Sequence, residues 1–235
     1  MCGRYATSRT SAALLDDFGA SLGDLFVDTG ADYNVAPTKL APIVVGRTDE
    51  GAFHRELVTA KWGLVPSWAK DPSIGNRMIN ARSETVAQKP SFRSAFAKRR
   101  ALVPVDGYYE WYQPVGAPGQ KPPPKQPFFI GSPDGLALAG LYEFWKDPAG
   151  EWLLTFTILT TSAEGDDGRI HDRAPLLVSP SQVDQWLAPE PWPHEPNELQ
   201  SATPGVLAAW PVSTAVNSVR NNGPELIEPI PLIVE

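Results

Sequence analysis

Cys2 is the only cysteine of the 235-residue chain, and it stands directly after Met1 in the run Met1-Cys2-Gly3-Arg4. Removal of Met1 would leave an α-amine and a thiol on adjacent carbons, a 1,2-aminothiol. With an aldehyde the amine can form an imine, and the thiol can then close onto the imine carbon to give a five-membered thiazolidine. No internal cysteine can do this. Reference pKa values of about 7.7–8.0 for the amine and about 8.5 for the thiol lead us to expect neutral amine and some thiolate near neutral pH. A lone cysteine is more often a small buried hydrophobe, but chain termini seldom lie in a core, so position 2 argues for reactivity.

Three other polar groups could join such chemistry. Asn80-Ala81-Arg82 offers an amide that can hold a carbonyl or hydroxyl, and a guanidinium that can hold a phosphate on two prongs. Glu110 lies in the aromatic string Tyr108-Tyr109-Glu110-Trp111-Tyr112. Ring faces would desolvate its carboxyl and raise its pKa toward the range useful for proton transfer, whereas simple strand alternation would leave it in solvent. His171, in Arg169-Ile170-His171-Asp172-Arg173, follows a Gly/Asp-rich turn at 164–168. Imidazole is the side chain best suited to donate a proton at neutral pH, although a loop histidine is more often a hydrogen-bonded structural group.

Charge is unevenly spread. The chain carries a formal −7, yet residues 61–113 hold nine Lys or Arg against four Asp or Glu, a local +5 that leaves −12 elsewhere. Trp62, Trp68, Phe92, Phe96, Tyr108, Tyr109 and Trp111 are interleaved with these bases. A basic run is often just a solvated face. Alternation with aromatic platforms is what single-stranded nucleic acid requires, since phosphates need cations and unpaired bases need rings to stack on. A single cysteine makes no internal disulfide, and the three histidines at 54, 171 and 194 form no metal-ligand spacing with it, so no metal is expected. No stretch approaches the roughly 18 apolar residues of a membrane-spanning helix. The expected location is therefore cytoplasmic.

The elements that must position these groups read as α+β. Ser11 to Phe18 forms a short helix with Thr10 as N-cap and Gly19 as stop. APIVVGRT and FHRELVTAKWGLV form a hairpin about Asp49-Glu50-Gly51. Residues 67–82 are punctuated by Gly, Pro and Asn and read as a surface loop. Ser91 to Arg100 reads as a basic helix that packs one face and points its cations outward. ALVPVDGYYEWY is a strand broken at Asp106-Gly107. Six prolines between 113 and 127 mark an extended surface loop within a single 1–235 domain. PFFIG, LALAGLYEFW and EWLLTFTILTTSA form an antiparallel meander turning at Ser132-Pro133-Asp134-Gly135 and at 147–150. A short helix follows Ser179-Pro180, residues 189–204 are looped, VLAAWPVSTAV is a strand, and ELIEPIPLIVE suits a sheet edge.

MCGRYA, YNVAPT (33–38), KWGLVPSWA (61–69), INARSET (79–85), FRSAF (92–96), LVPVDGYYEW (102–111), ILTTSA (158–163), IHDRAP (170–175) and VNSVRNNGPELIEP (216–229) together resemble the SOS-response-associated peptidase (SRAP) family, in family order and over almost the whole chain. Its members are abasic-site processing proteins. The resemblance implies mixed, largely antiparallel sheets curled into a barrel-like core with a few short helices. It also implies a covalent crosslink from the N-terminal cysteine to the aldehyde of an abasic site in single-stranded DNA, with Asn80, Glu110 and His171 completing the site. Glu110 would take protons from the amine or position it, His171 would donate to the sugar oxygen, and Asn80 would hold the terminus or the aldehyde oxygen. Arg4, Trp68, Arg82, Arg93 and Trp111 would meet the DNA. No cofactor is implied, and the protein would act as a monomer, at the nucleoid when bound. Ala174 departs from the methionine usual at that position. Two other classes fit parts of the chain: an N-terminal-nucleophile amidotransferase or peptidase using Cys2, from which Arg4 departs, and a non-catalytic single-strand DNA binder.

Overall fold

A computed structural model describes residues 2–115, 119–163, 168, 170–192, 199 and 207–231. Among the described residues eleven strands join one mixed sheet: β1 (Tyr5–Thr7), β2 (Ser21–Leu22), β3 (Asp32–Val35), β4 (Leu40–Asp49), β5 (Ala52–Trp62), β6 (Asn80–Arg82), β7 (Arg100–Tyr112), β8 (Gln126–Lys146), β9 (Trp152–Ser162), β10 (Arg173–Pro175) and β11 (Ala208–Pro211). Among the described residues three short α-helices accompany them: α1 (Ser11–Phe18), α2 (Arg93–Lys98) and α3 (Val183–Leu187). The α+β architecture and its barrel-like core follow from the pairing, because the path closes on itself. β7 pairs β8, β8 pairs β9, β9 pairs β5, β5 pairs β4, and β4 returns to β7. Only the β5–β9 link in this ring is parallel. Closure removes sheet edges and encloses a core.

Strand alternation fills that core. Ala41, Ile43 and Val45 of β4, Val58, Ala60 and Trp62 of β5, and Phe156 and Ile158 of β9 share one buried cluster with Cys2 and Tyr5. The opposite faces, including Val44, Leu57 and Leu159, pack with Leu14 and Phe18 of α1, Phe96 of α2 and Trp186 of α3. Strand β7 changes phase halfway. Ala101, Val103 and Val105 point into the barrel cluster, and so does Tyr108 three residues further on. The register slips between Val105 and Gly107. This bulge transfers the inward set from odd to even numbers, which is why the face of Tyr108, and with it Glu110, looks inward while Tyr109 joins a third cluster outside. Gly107 is needed there: a Cβ would lie 2.5 Å from the Ile130 carbonyl oxygen. Asp106, displaced by the bulge, accepts from the Ser8 amide at 2.6 Å and so fixes the chain that follows β1.

Several expectations hold locally. Thr10 caps α1 by accepting from the Ala13 amide, and Gly19 ends it at φ 54°. β4 and β5 form the expected hairpin, in register from Leu40↔Lys61 to Asp49↔Ala52.

Others are corrected. Ser132-Pro133-Asp134-Gly135 does not reverse the chain. Both halves of β8 face β7, with Gly131 opposite Gly107 and Leu136 opposite Val105, so these four residues bulge out beside Asp106. Part of 67–82 is not loop: Pro72–Arg77 is a 3-10 helix, and Asn80–Arg82 is a strand paired in parallel with β9. The basic helix is shorter than expected, and the cations after it turn inward. Arg99 pairs with Glu143 at 2.6 Å, and Arg100 is 3 % exposed, donating to the carbonyls of Phe96, Ala97, Trp186, Ala188 and Glu190. The described part of ELIEPIPLIVE forms no strand but does lie at a sheet edge: Pro224–Leu226 is a 3-10 turn, and the Ile230 amide donates to the Pro211 carbonyl at the end of β11. Most of 189–204, the turn at 164–167 and residues 116–118 lie outside the described residues. Strand β7 ends at Tyr112 and β8 begins at Gln126. Among the described residues no helix is long and apolar enough to cross a membrane.

Candidate active site

Strand β9 aligns two of the site segments. Its residues Ile158 to Thr160 carry β6 in parallel, with Asn80 opposite Ile158, and Thr160 to Ser162 carry β10 antiparallel, with Ala174 opposite Thr161. Asn80 and the residues just after His171 are thereby set within a few residues of one another along a single rigid strand. A side-chain clasp joins the same two segments. Arg173 meets Glu84 through Nη1 at 2.5 Å and Nη2 at 3.0 Å, and donates to the Thr160 carbonyl at 2.6 Å. The Arg173 hydrogen bond holds the Glu84 carboxyl below its ordinary pKa.

Cys2 reaches this region from the chain terminus. The Asn80 side chain donates from Nδ2 to the Cys2 carbonyl at 2.7 Å, while its buried Oδ1 has no hydrogen bond among the described residues. Behind it, Trp62 donates from Nε1 to the Ile79 carbonyl at 2.8 Å, locking the residue that precedes the amide. The expectation that a terminal residue avoids the core is overturned, because Cys2 is wholly buried in the barrel cluster. The expectation of available thiolate falls with it. Burial, and then the Glu110 carboxylate, push the Cys2 thiol well above its ordinary pKa. The resting thiol is therefore protonated.

Glu110 is 3 % exposed, so the desolvated reading holds against the solvent-facing one. Burial raises its pKa, and attraction to His171 works in the opposite direction. A carboxyl whose pKa is raised by burial is better suited to accept and return a proton than one in water. His171 is partly exposed, and its Nδ1 accepts from the Arg173 amide at 3.0 Å. Nδ1 also lies 2.8 Å from Asp172 Oδ1, a contact that is favourable only when Nδ1 carries a proton. The two contacts belong to different protonation states. The amide is fixed in the backbone, whereas the Asp172 side chain is 86 % exposed and can turn into water, so the amide sets the neutral tautomer. That tautomer carries its proton on Nε2.

The residues expected at the DNA separate into two groups. Arg82, Arg93 and Trp68 are exposed; Trp68, at 59 %, lines a cavity of about 390 Å³ together with Lys70, Ile74 and Arg77. Arg4 and Trp111 are tied internally. Arg4 donates from Nη1 to Asn34 Oδ1 at 2.6 Å and to the Val216 carbonyl at 2.9 Å, and its guanidinium lies 5.9 Å from the Trp111 ring centre. Trp111 donates to Asn217 Oδ1 at 2.7 Å. Much of the basic-aromatic alternation dissolves into core: Trp62, Phe96, Tyr108 and Tyr109 are all buried. The exposed cations remain, with Lys70, Arg77, Arg82, Lys89, Arg93 and Lys98 at the surface. Among the described residues no group of three His, Cys, Asp or Glu could hold a metal ion.

Sequence reasoning missed Asn34, Tyr5 and Arg173. Asn34 is fully buried and donates from Nδ2 to Ser218 and Asn221, joining the YNVAPT and VNSVRNNG motifs. Its presence within a quoted motif was the available signal; its partners, more than 180 positions away, were not.

The model of the family described as SOS response associated peptidase (SRAP) matches residues 1–219. The abasic site processing protein YoqW of Bacillus subtilis is 38 % identical, over 97 % of this chain and 99 % of that protein. YedK of Escherichia coli, of the same description, is 36 % identical over 98 % of this chain and 100 % of its own length. HMCES of Gallus gallus, likewise an abasic site processing protein, is 33 % identical over 99 % of this chain and 79 % of its own. A crystal structure of a protein from Bacteroides thetaiotaomicron superposes with a TM-score of 0.79 at 25 % identity, over 97 % of this chain and 100 % of that one.

Proposed function

Because the chain belongs to the SOS response associated peptidase (SRAP) family, we propose that it processes abasic sites in single-stranded DNA by capturing them covalently on Cys2 after Met1 is removed. The hydrogen bond from Asn80 to the Cys2 carbonyl carries this reading, because it fixes the residue that would bear both nucleophiles beside a desolvated carboxyl and a histidine.

The abasic sugar in its open form offers a C1′ aldehyde. The Cys2 α-amine attacks that carbon, and the resulting carbinolamine loses water to give an imine. The thiol then adds across the C=N bond: the S–C bond forms, the π pair goes to nitrogen, and the thiol proton ends there. Aldehyde and aminothiol thus yield a thiazolidine and one water. Glu110 takes the proton that the amine must shed, a task suited to a carboxyl of raised pKa. His171 donates a hydrogen bond from Nε2 to the sugar ring oxygen as the ring opens, a step in which that oxygen gains the proton that the C1′ hydroxyl loses. The amine attacks first because only the imine gives sulfur an electrophilic carbon to close on; burial keeps the thiol protonated until then, with Glu110 at hand to relay its proton. Exposed Arg82 and Arg93 meet phosphates and Trp68 stacks on a base. Arg4 serves chiefly to anchor the strand that follows Cys2, through Asn34.

Incubation of protein lacking Met1 with a single-stranded oligonucleotide bearing one abasic site, followed by a denaturing gel and mass spectrometry, tests the proposal. A heat-stable adduct whose mass equals protein plus DNA less one water supports it. Protein that runs free of DNA after boiling, or an adduct mapped to a lysine, overturns it.

A further inference from the structure

Tyr5 carries a polar atom that the fold does not use. The residue is wholly buried in the cluster that contains Cys2, and among the described residues its hydroxyl makes no hydrogen bond. Neighbouring aromatic polar groups are satisfied: Tyr109 donates to the Tyr33 carbonyl, and Trp62 to Ile79. An unpaired buried hydroxyl is costly, so a phenylalanine would serve packing better here. The ring itself is well held. It lies 5.0 Å from the Trp62 ring at 53°, and its backbone is paired with Tyr108 on one side and Val35 on the other. Tyr108 stands two positions before Glu110 on β7, so Tyr5 is paired with the stretch of β7 that shares its interior face with the acid.

We propose that the Tyr5 hydroxyl is a positioning donor for the Cys2 sulfur, held ready to hydrogen-bond it as it closes onto the imine carbon. This inference rests on the crosslinking reading above. Burial raises the phenol pKa well above its ordinary value, and the nearby Cys2 raises it further, so the group stays a donor at every working pH. Tyr5 keeps its proton throughout. Its hydrogen bond stabilises developing negative charge on sulfur in a site where burial opposes that charge, and it aims one sulfur lone pair at the imine carbon. The two steps of the reaction are thereby supported by different groups: Glu110 serves the amine, and Tyr5 serves the thiol.

The test compares Met1-free parent and Tyr5→Phe proteins on the single-stranded abasic oligonucleotide. Borohydride trapping reports the imine, heat stability reports ring closure, and the pH dependence of iodoacetamide alkylation, read by intact mass, reports the single thiol. The expected result is unchanged imine trapping, ring closure slowed about tenfold or more, as for loss of a hydrogen bond to a charged group, an alkylation profile moved to higher pH, and a melting temperature no lower than the parent's. A ring-fluorinated tyrosine at position 5, a stronger donor on the same frame, should move closure and alkylation the opposite way, and this arm decides the matter if the phenylalanine variant folds poorly. Equal closure rates with superimposable alkylation profiles overturn the inference alone. Parallel losses of melting temperature and imine trapping do so as well, since they mark packing. A parent protein that yields neither imine nor adduct overturns the crosslinking reading, and this inference with it.

Discussion

The Asn80 side chain donates to the backbone carbonyl of Cys2 at 2.7 Å across 78 positions of sequence. One polar group of a β-strand thus holds the residue that would carry both nucleophiles. Its other atom, Oδ1, is buried without a hydrogen bond and is free to accept from an amine once Cys2 becomes the terminus. Asn80→Asp removes the donor and sets a carboxylate against a carbonyl. Loss of one such hydrogen bond corresponds to about tenfold, and the added repulsion should carry the fall in adduct formation beyond that. Single-turnover crosslinking, with DNA binding measured separately by anisotropy, checks this; a normal rate in the variant removes Asn80 from the site.

Glu110→Gln separates function from stability. The acid's raised folded-state pKa means that the native state holds a proton which the unfolded state releases. Native stability is therefore favoured below the ordinary carboxylate pKa and declines as pH rises from that value toward the elevated one. Glutamine removes this dependence. The variant should gain melting temperature relative to parent at neutral pH more than at acid pH, while crosslinking slows about 10²–10⁴-fold for loss of a general acid/base. Calorimetry at two pH values beside gel kinetics would show both effects.

Cys2→Ser retains the amine and loses the sulfur. It should give an imine that borohydride traps, with little heat-stable adduct. Protein with verified Met1, or with a tag before Cys2, should give neither from this residue, because acylation removes the amine lone pair. A full-rate heat-stable crosslink from protein retaining Met1 would falsify the aminothiol mechanism.

Trp68→Ala and Arg82→Ala probe the DNA side. Losing a stacking platform costs about 1–3 kcal/mol per base on single strands. Losing a phosphate contact lowers the salt slope of binding by about 1. Abasic single strands should react faster than the same lesion in duplex, and equal rates at every salt concentration would remove the stacking argument.

Gly107→Ala tests the bulge. A Cβ there would meet the Ile130 carbonyl and the Phe129 ring, each at 2.5 Å, and β7 must shift to admit it. Overpacking of this kind costs about 1–3 kcal/mol. Because the same bulge turns Glu110 inward, crosslinking should fall as well, and chemical denaturation alongside gel kinetics reads both.

The sequence alone determined what is local or chemical. Thr10 and Gly19 bound α1 because capping needs only neighbouring atoms. The β4–β5 hairpin follows from alternation and one turn. The adjacency of amine and thiol in Cys2 is covalent, and the motif residues carry their chemistry with them. Only the tertiary structure decided where that chemistry stands. Cys2 is core, and its thiol is protonated, because burial is set by strands far along the chain. Residues of one polarity pattern went to opposite fates: Arg82 faces solvent while Arg100 is buried against five carbonyls, since a guanidinium enters a core wherever enough acceptors from distant segments converge on it. The phase of β7 was settled the same way. Asp106-Gly107 reads as an interruption in any sequence, but which face the strand shows after it depends on the register with β8, and that register sends Glu110 inward and Trp111 to Asn217. Periodicity states that faces alternate; only a partner strand states which of them is inside.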